Sequence, residues 1–220
     1  MQGRLRSTRL PAKGFHTFFG QTIWARMCDI ALAVKGSNEI YFATGDLPEN
    51  QLARPLVEAQ GVKFFAGSEE NVLERFAQIA LLSKQEYVLR ITCDNYLIQP
   101  EVIDGLYEAV SSAQADYGYI DPLSHYAGEM IKRTVLLDHW QSQKYSAAAR
   151  EHVTWDIRHN SEIKKVILPS NFMGLNHEKN ITLDNIEDFI FMKKLEQLFP
   201  ELKSPRCLAS VKQVSHQNNF

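Results

Sequence analysis

A chain of 220 residues, 45% hydrophobic and 23% charged, is long enough for one domain with a sizeable core. Its net charge of −2 argues against a bulk nucleic-acid binder, and no apolar run reaches the ~18 residues that span a bilayer, so no membrane insertion is expected. Cys28, Cys93 and Cys207 are odd in number, far apart and outside any CxxC or Cys/His spacing, which points to a reducing compartment, the cytoplasm, and away from a zinc site.

The chain opens on a local exception to that charge balance. Between Gly3 and Gly14 lie Arg4, Arg6, Arg9 and Lys13, with hydroxyls on Ser7 and Thr8, and the first acidic residue is Asp29. Arginine forks and a lysine point charge complement phosphate oxygens, and small residues let backbone N–H groups turn toward the same anion. A solvated basic tail, an Arg-rich targeting peptide and a nucleic-acid arm are competing readings. Pro11, and the absence of a neutral linker before Phe15, Phe18 and Phe19, count against the targeting peptide.

Next, Ile23, Met27, Ile30, Ala31 and Val34 recur at helical spacing, so the pattern predicts a helix over 21–34, stopped by Gly36-Ser37-Asn38. A buried strand is expected over 39–44, then a helix over 46–60 with Pro48 in its first turn and Gly61 at its end. A strand over 62–67 follows, then a helix N-capped by Ser68, with Glu69 and Glu70 in its first turn and Val72, Leu73, Phe76, Ile79 and Ala80 on its apolar face. The series continues with a strand over 86–93 and a helix over 100–113.

Strands alternating with helices predict an α/β sheet covered on both faces, with ligands outside the carboxyl ends of the strands. Thr44 and Asp46, then Gly67 and Ser68, then Asp94 and Asn95 stand at such ends. Asp94 could bridge a divalent cation to nucleotide phosphates, or could turn the chain through its own hydrogen bonds. Asp184 is the second candidate; it precedes an amphipathic helix and would also make a good N-cap.

Arg4-x-x-Ser7-Thr8-Arg9-Leu10-Pro11-x-Lys13 resembles the signature loop of the CMP-sugar synthetases, the cytidylyltransferases of acylneuraminate and 3-deoxy-manno-octulosonate type sugars, nearest their spore-coat-polysaccharide SpsF-like branch. Those proteins read Ala-Arg-x-x-Ser-Thr-Arg-Leu-Pro-Gly-Lys. The segments Ala43 to Glu49, Gly67 to Arg75, Arg90 to Ile98, Arg150 to Thr154 and Thr182 to Asp188 are similar to further family segments in the same order. The resemblance implies a three-layer α/β/α nucleotidyltransferase fold of GT-A type with a mixed, mostly parallel sheet over 1–199, followed by a tail over 200–220 that frays or serves an oligomer contact. It also implies the chemistry: CMP passes from CTP to a sugar or sugar acid hydroxyl with release of pyrophosphate, for surface polysaccharide synthesis.

Carried over to this sequence, Arg4, Ser7, Arg9 and Lys13 hold the triphosphate, Asp94 and Asp184 hold Mg²⁺, and Arg9, Lys13 and Asp94 are the catalytic set. Thr44, Asp46, Ser68 and Arg75 line the nucleotide pocket, while Glu129, Arg150 and His152 face the sugar. Related enzymes are commonly dimers, which suggests a homodimer. Three departures stand out. The family's loop hangs from a first, central strand that is missing or truncated ahead of Met1, most simply through a start set too late. Cys93 and Tyr96 replace a glycine and a proline beside Asp94, and at Tyr126 to Met130 an Asp-x-Glu pair is reduced to Glu129 with Ala127 at the other position. A catalytically degenerate nucleotide- or partner-binding homologue is the alternative, and a GT-A glycosyltransferase a further one, although Cys93-Asp94-Asn95 supplies one acid where such enzymes usually carry Asp-x-Asp.

Overall fold

The computed structural model describes residues 1–122, 127–174 and 182–204. Its elements are a small hairpin, β1 (Thr17–Phe18) and β2 (Gln21–Thr22), then α1 (Ile23–Ala33), β3 (Tyr41–Gly45), α2 (Arg54–Glu58), β4 (Lys63–Gly67), α3 (Val72–Leu82), β5 (Tyr87–Arg90) and α4 (Pro100–Ser112). There follow β6 (Tyr117–Ile120), β7 (Glu129–Lys132), α5 (Arg133–Gln141), α6 (Ala147–His152), α7 (Trp155–His159), β8 (Lys165–Leu168) and α8 (Ile186–Leu198).

Local chemistry sets the helix ends. Thr22 accepts the N–H of Ala25 at 3.2 Å and starts α1, and Pro100 occupies the first turn of α4. Two expectations need correcting. The helix after β4 starts at Val72, because Asn71 is its cap and accepts from Glu74 N–H at 3.1 Å; Ser68 instead makes a turn by accepting from Asn71 N–H at 3.1 Å. The predicted helix over 46–60 is a 3₁₀ turn, Pro48–Ala53, that passes into the short α2.

Strands β3 and β4 are parallel; β5, β7, β6 and β8 form a second ladder in that order, with β7 antiparallel to β5 and β6, and β8 parallel to β6. The two ladders meet through Met1 to Gly3. Gln2 bridges Ala43 on one side and Thr92 on the other: its N–H donates to Ile91 O at 2.8 Å, and Cys93 N–H donates to its carbonyl at 2.8 Å. Met1 to Gly3 thus stand in the slot expected for the central strand. Beside them, between β3 and β5, lies an apolar-lined cavity of about 370 Å³ bordered by Val34, Ile40, Tyr41, Tyr87, Leu89 and Ile91.

Period-two alternation sorts the sheet residues into two cores. Phe42, Ile120 and Met130 pack with α1, α4 and α8, whereas Ala43, Tyr117, Tyr119 and Ile131 pack with α3, α5, α6 and α7. The result is the expected helix–sheet–helix sandwich. The described start of the tail is packed, not frayed: Leu202 is buried and the buried Arg26 donates to the carbonyls of Lys203 and Ser204. Cys207 and the rest of the tail lie outside the described residues, as does Tyr126.

Candidate active site

The carboxyl ends of the central strands open into a cavity of about 520 Å³ whose walls include Arg4, Ser7, Arg9, Lys13, Arg75, Asp94, His152 and Asp184. The N-terminal loop is held over it by ordinary packing. Leu5 and Leu10 are buried, Ser7 Oγ accepts from Leu10 N–H at 3.2 Å, and Leu5 N–H donates to Oδ1 of the buried Asn50 at 2.9 Å. Asn50 in turn donates to Gly45 O at 3.2 Å, so the loop is tied to the end of β3. Farther along, Gly14 lies flat on Trp24; a Cβ at that glycine would sit 2.0 Å from the indole. Ala12 occupies the left-handed region, φ 52°, where the family loop carries glycine.

At the inner end of the loop, three segments distant in sequence converge. Lys13 Nζ donates to Asp94 Oδ2 at 2.8 Å, Asp184 Oδ1 at 3.2 Å and Leu183 O at 3.1 Å, and Arg9 Nη2 lies 3.4 Å from the same Asp184 oxygen. Asp184 is free for this because it does not cap α8. Asn185 does, in a capping box with Asp188, whose Oδ2 also accepts the N–H of Asp184 at 2.8 Å. Of the replaced neighbours of Asp94, Cys93 is buried with its backbone N–H on Gln2 O, and Tyr96 serves as an anchor, its buried hydroxyl donating to Phe18 O at 3.1 Å. Burial pushes the Cys93 thiol well above its usual range, which leaves it inert.

The donor set suits a hard divalent cation. Two carboxylates face one another closely enough to share an ammonium, and Asp94 Oδ1 is buried with no hydrogen-bond partner. Magnesium is commonly held by one or two carboxylates plus water and substrate phosphates, not by an all-protein cage. Deeper in the cavity, Arg75 is 1% exposed with Nε and Nη1 unpartnered by hydrogen bonds, and burial lowers its pKa against the opposing pull of Glu69. Such a guanidinium is a waiting donor for an incoming acceptor.

Other predicted site residues are not brought to the wall of this cavity. Thr44 is buried in β3, Asp46 lies beyond that strand, and Ser68 is spent on its turn. Arg150 lies with its guanidinium carbon 5.8 Å from the Tyr145 ring centroid. Glu129 is 2% exposed and sealed: Arg90, the Tyr117 hydroxyl and the Thr154 hydroxyl all bond its carboxylate. It reaches the cavity only through its neighbours, since Arg90 lines the wall and Thr154 follows Val153, whose φ of 48° turns the chain after His152. Arg6 and Thr8 of the basic loop border the cavity too, as does Glu151 beside His152; Gln2, Trp24, Arg90 and Thr92 border it without a role having been read for them from the sequence. For Arg90 and Thr92 a signal existed: they share strand parity with Asp94, so all three tend to one face. Trp24 gave none.

The cytidylyltransferase family pattern matches residues 1–219. The chain belongs to the cytidylyltransferase family. It is 30% identical over 206 residues to the spore coat polysaccharide biosynthesis protein SpsF of Bacillus subtilis, covering 90% of this chain and 85% of that one. Its fold is that of a cytidylyltransferase from Leptospira borgpetersenii, with a TM-score of 0.85 at 20% identity, covering 100% of this chain and 96% of the other. It is also that of the CMP:2-keto-3-deoxy-manno-octonic acid synthetase solved with CTP, with a TM-score of 0.67 at 15% identity, covering 91% and 96%. Among the described residues of this cytidylyltransferase, no helix is long and apolar enough to cross a membrane.

Proposed function

We propose that the protein transfers CMP from CTP to a hydroxyl of a sugar or sugar acid, releasing pyrophosphate, with Mg²⁺ at Asp94 and Asp184. The observation that carries this reading is the meeting of Arg9, Lys13, Asp94 and Asp184 in one cavity large enough for a nucleotide. A cation on the two aspartates would supply charge neutralisation at the α-phosphate. The chain's own residues do the rest by positioning. Arg4, Arg9 and Lys13 hold phosphate oxygens, Arg75 offers its unpartnered N–H groups to the nucleotide, and His152 with Glu151 borders the space left for the sugar. Phosphoryl-group transfer of this kind calls for alignment and electrostatic stabilisation, with no covalent intermediate on the protein.

The decisive experiment is pyrophosphate release with CTP, Mg²⁺ and a panel of sugars and sugar acids. Release that vanishes in Asp94→Ala supports the reading. Tight CTP binding with no turnover across the panel rejects it in favour of a non-catalytic homologue.

A further inference from the structure

Resting on that reading, we propose that Lys13 is a displaceable counter-ion: it pairs with the two aspartates and yields them to a divalent cation only when a triphosphate offers it replacement acceptors. An ammonium has three N–H bonds to give, and here each has a taker: Asp94 Oδ2 at 2.8 Å, Leu183 O at 3.1 Å and Asp184 Oδ1 at 3.2 Å. Lys13 therefore binds a phosphate oxygen only by releasing one of these. A divalent cation held by both carboxylates at roughly 2.0–2.1 Å for Mg²⁺, even one that takes the unpartnered Asp94 Oδ1, contends with that ammonium for the space and the charge between them.

The backbones that carry the three side chains are held, and the lysine has the longest stem between backbone and charge. Leu183 N–H donates to Asp94 O at 2.9 Å, Asp184 N–H is held by Asp188 at 2.8 Å, and the backbone beside Lys13 is pinned where Gly14 meets Trp24. An aspartate carboxylate pivots close to its backbone, whereas the flexible four-carbon stem of the lysine can carry its charge away. Charge favours a coupled exchange. Lys13 and Arg9 already balance Asp94 and Asp184, so a cation arriving alone meets two positive groups and no net negative charge, whereas a cation arriving with a triphosphate finds acceptors for Lys13 as well. Metal and nucleotide then each raise the affinity of the other by the same factor.

The test uses Mn²⁺ as the probe. Free Mn²⁺ is measured by electron paramagnetic resonance for the wild type, Lys13→Met, Lys13→Gln and Arg4→Met, each with and without CTP. Arg4 is the control for simple loss of positive charge in the same cavity, because its guanidinium pairs with Glu69 at 3.8 Å and Glu151 at 3.9 Å and not with the aspartates. Without nucleotide, the Lys13 variants bind Mn²⁺ about tenfold or more tightly than wild type, while Arg4→Met stays within about threefold. CTP tightens Mn²⁺ binding strongly in wild type and much less in the Lys13 variants. Equal gains in the Lys13 and Arg4 variants, or none in either Lys13 variant, overturn the proposal. Failure of CTP to bind any of the proteins rejects the nucleotide reading instead, and the arms without nucleotide still decide the role of Lys13.

Discussion

Two clusters in this molecule are built from the same kinds of group and do opposite things. Around Glu129, a carboxylate, a guanidinium and two hydroxyls close on one another inside the sheet, with the carboxylate 2% exposed. Around Lys13, two carboxylates and two cations meet at the strand ends, partly open, with Asp94 Oδ1 left without a partner. The first satisfies its carboxylate internally through three donors, with Arg90 Nε left over, and so contributes rigidity; the second keeps a carboxylate oxygen unspent and so can accept a ligand. What separates structural from functional polar residues here is availability, not identity.

Substitutions can break that contrast. The largest effect is expected at the open cluster: Asp94→Asn lowers nucleotidyl transfer by about 10³-fold or more, with thermal stability close to wild type, as measured by pyrophosphate release alongside a melting curve. At the sealed cluster the order reverses. Glu129→Ala leaves the Arg90 guanidinium without its buried counter-charge and costs about 3 kcal/mol of stability in urea unfolding, a loss seen with or without nucleotide. An unchanged unfolding midpoint in that variant would erase the distinction.

Smaller changes sharpen it. Ala12→Gly relieves a left-handed residue in the loop and stabilises the fold by about 0.5 kcal/mol, the conformational gain of ~1 kcal/mol being partly offset by the freer unfolded chain. The smallest effect concerns His139, whose pKa is lowered from 6.5, chiefly by burial and against the pull of Asp156. Its folded form resists protonation, so the unfolded chain takes up the proton first; stability is present above pH 6.5 and declines as pH falls through that value toward the folded pKa. Comparing urea midpoints at about pH 7.5 and about pH 5.5, His139→Gln flattens this part of the profile.

Much of the sealed architecture was legible from periodicity, because α1, α3 and α4 each bury an apolar stripe that recurs every three to four residues. Exact caps were not. Ser68 and Asn71 are both good caps three residues apart, as Asp184 and Asn185 are side by side, and only packing decides between them. The antiparallel β7 was invisible because a four-residue strand of Glu-Met-Ile-Lys carries little pattern. At the site, charged residues at strand ends and in the loop were readable from type and place. The sealing of Glu129 was not, since it depends on Tyr117 of a neighbouring strand and Thr154 at a helix start reaching the same carboxylate oxygen.

The contact of Gly14 with Trp24 also gives the protein a native optical gauge. The indole is 1% exposed and borders the cavity, and the loop backbone rests on its ring without space for a methyl group. A shift of the loop on ligand entry must therefore alter the surroundings of that ring. Of the three tryptophans it is the buried one, whereas Trp140 is half-buried and Trp155 is 43% exposed, so iodide dims the other two first and leaves Trp24 to register occupancy without any label.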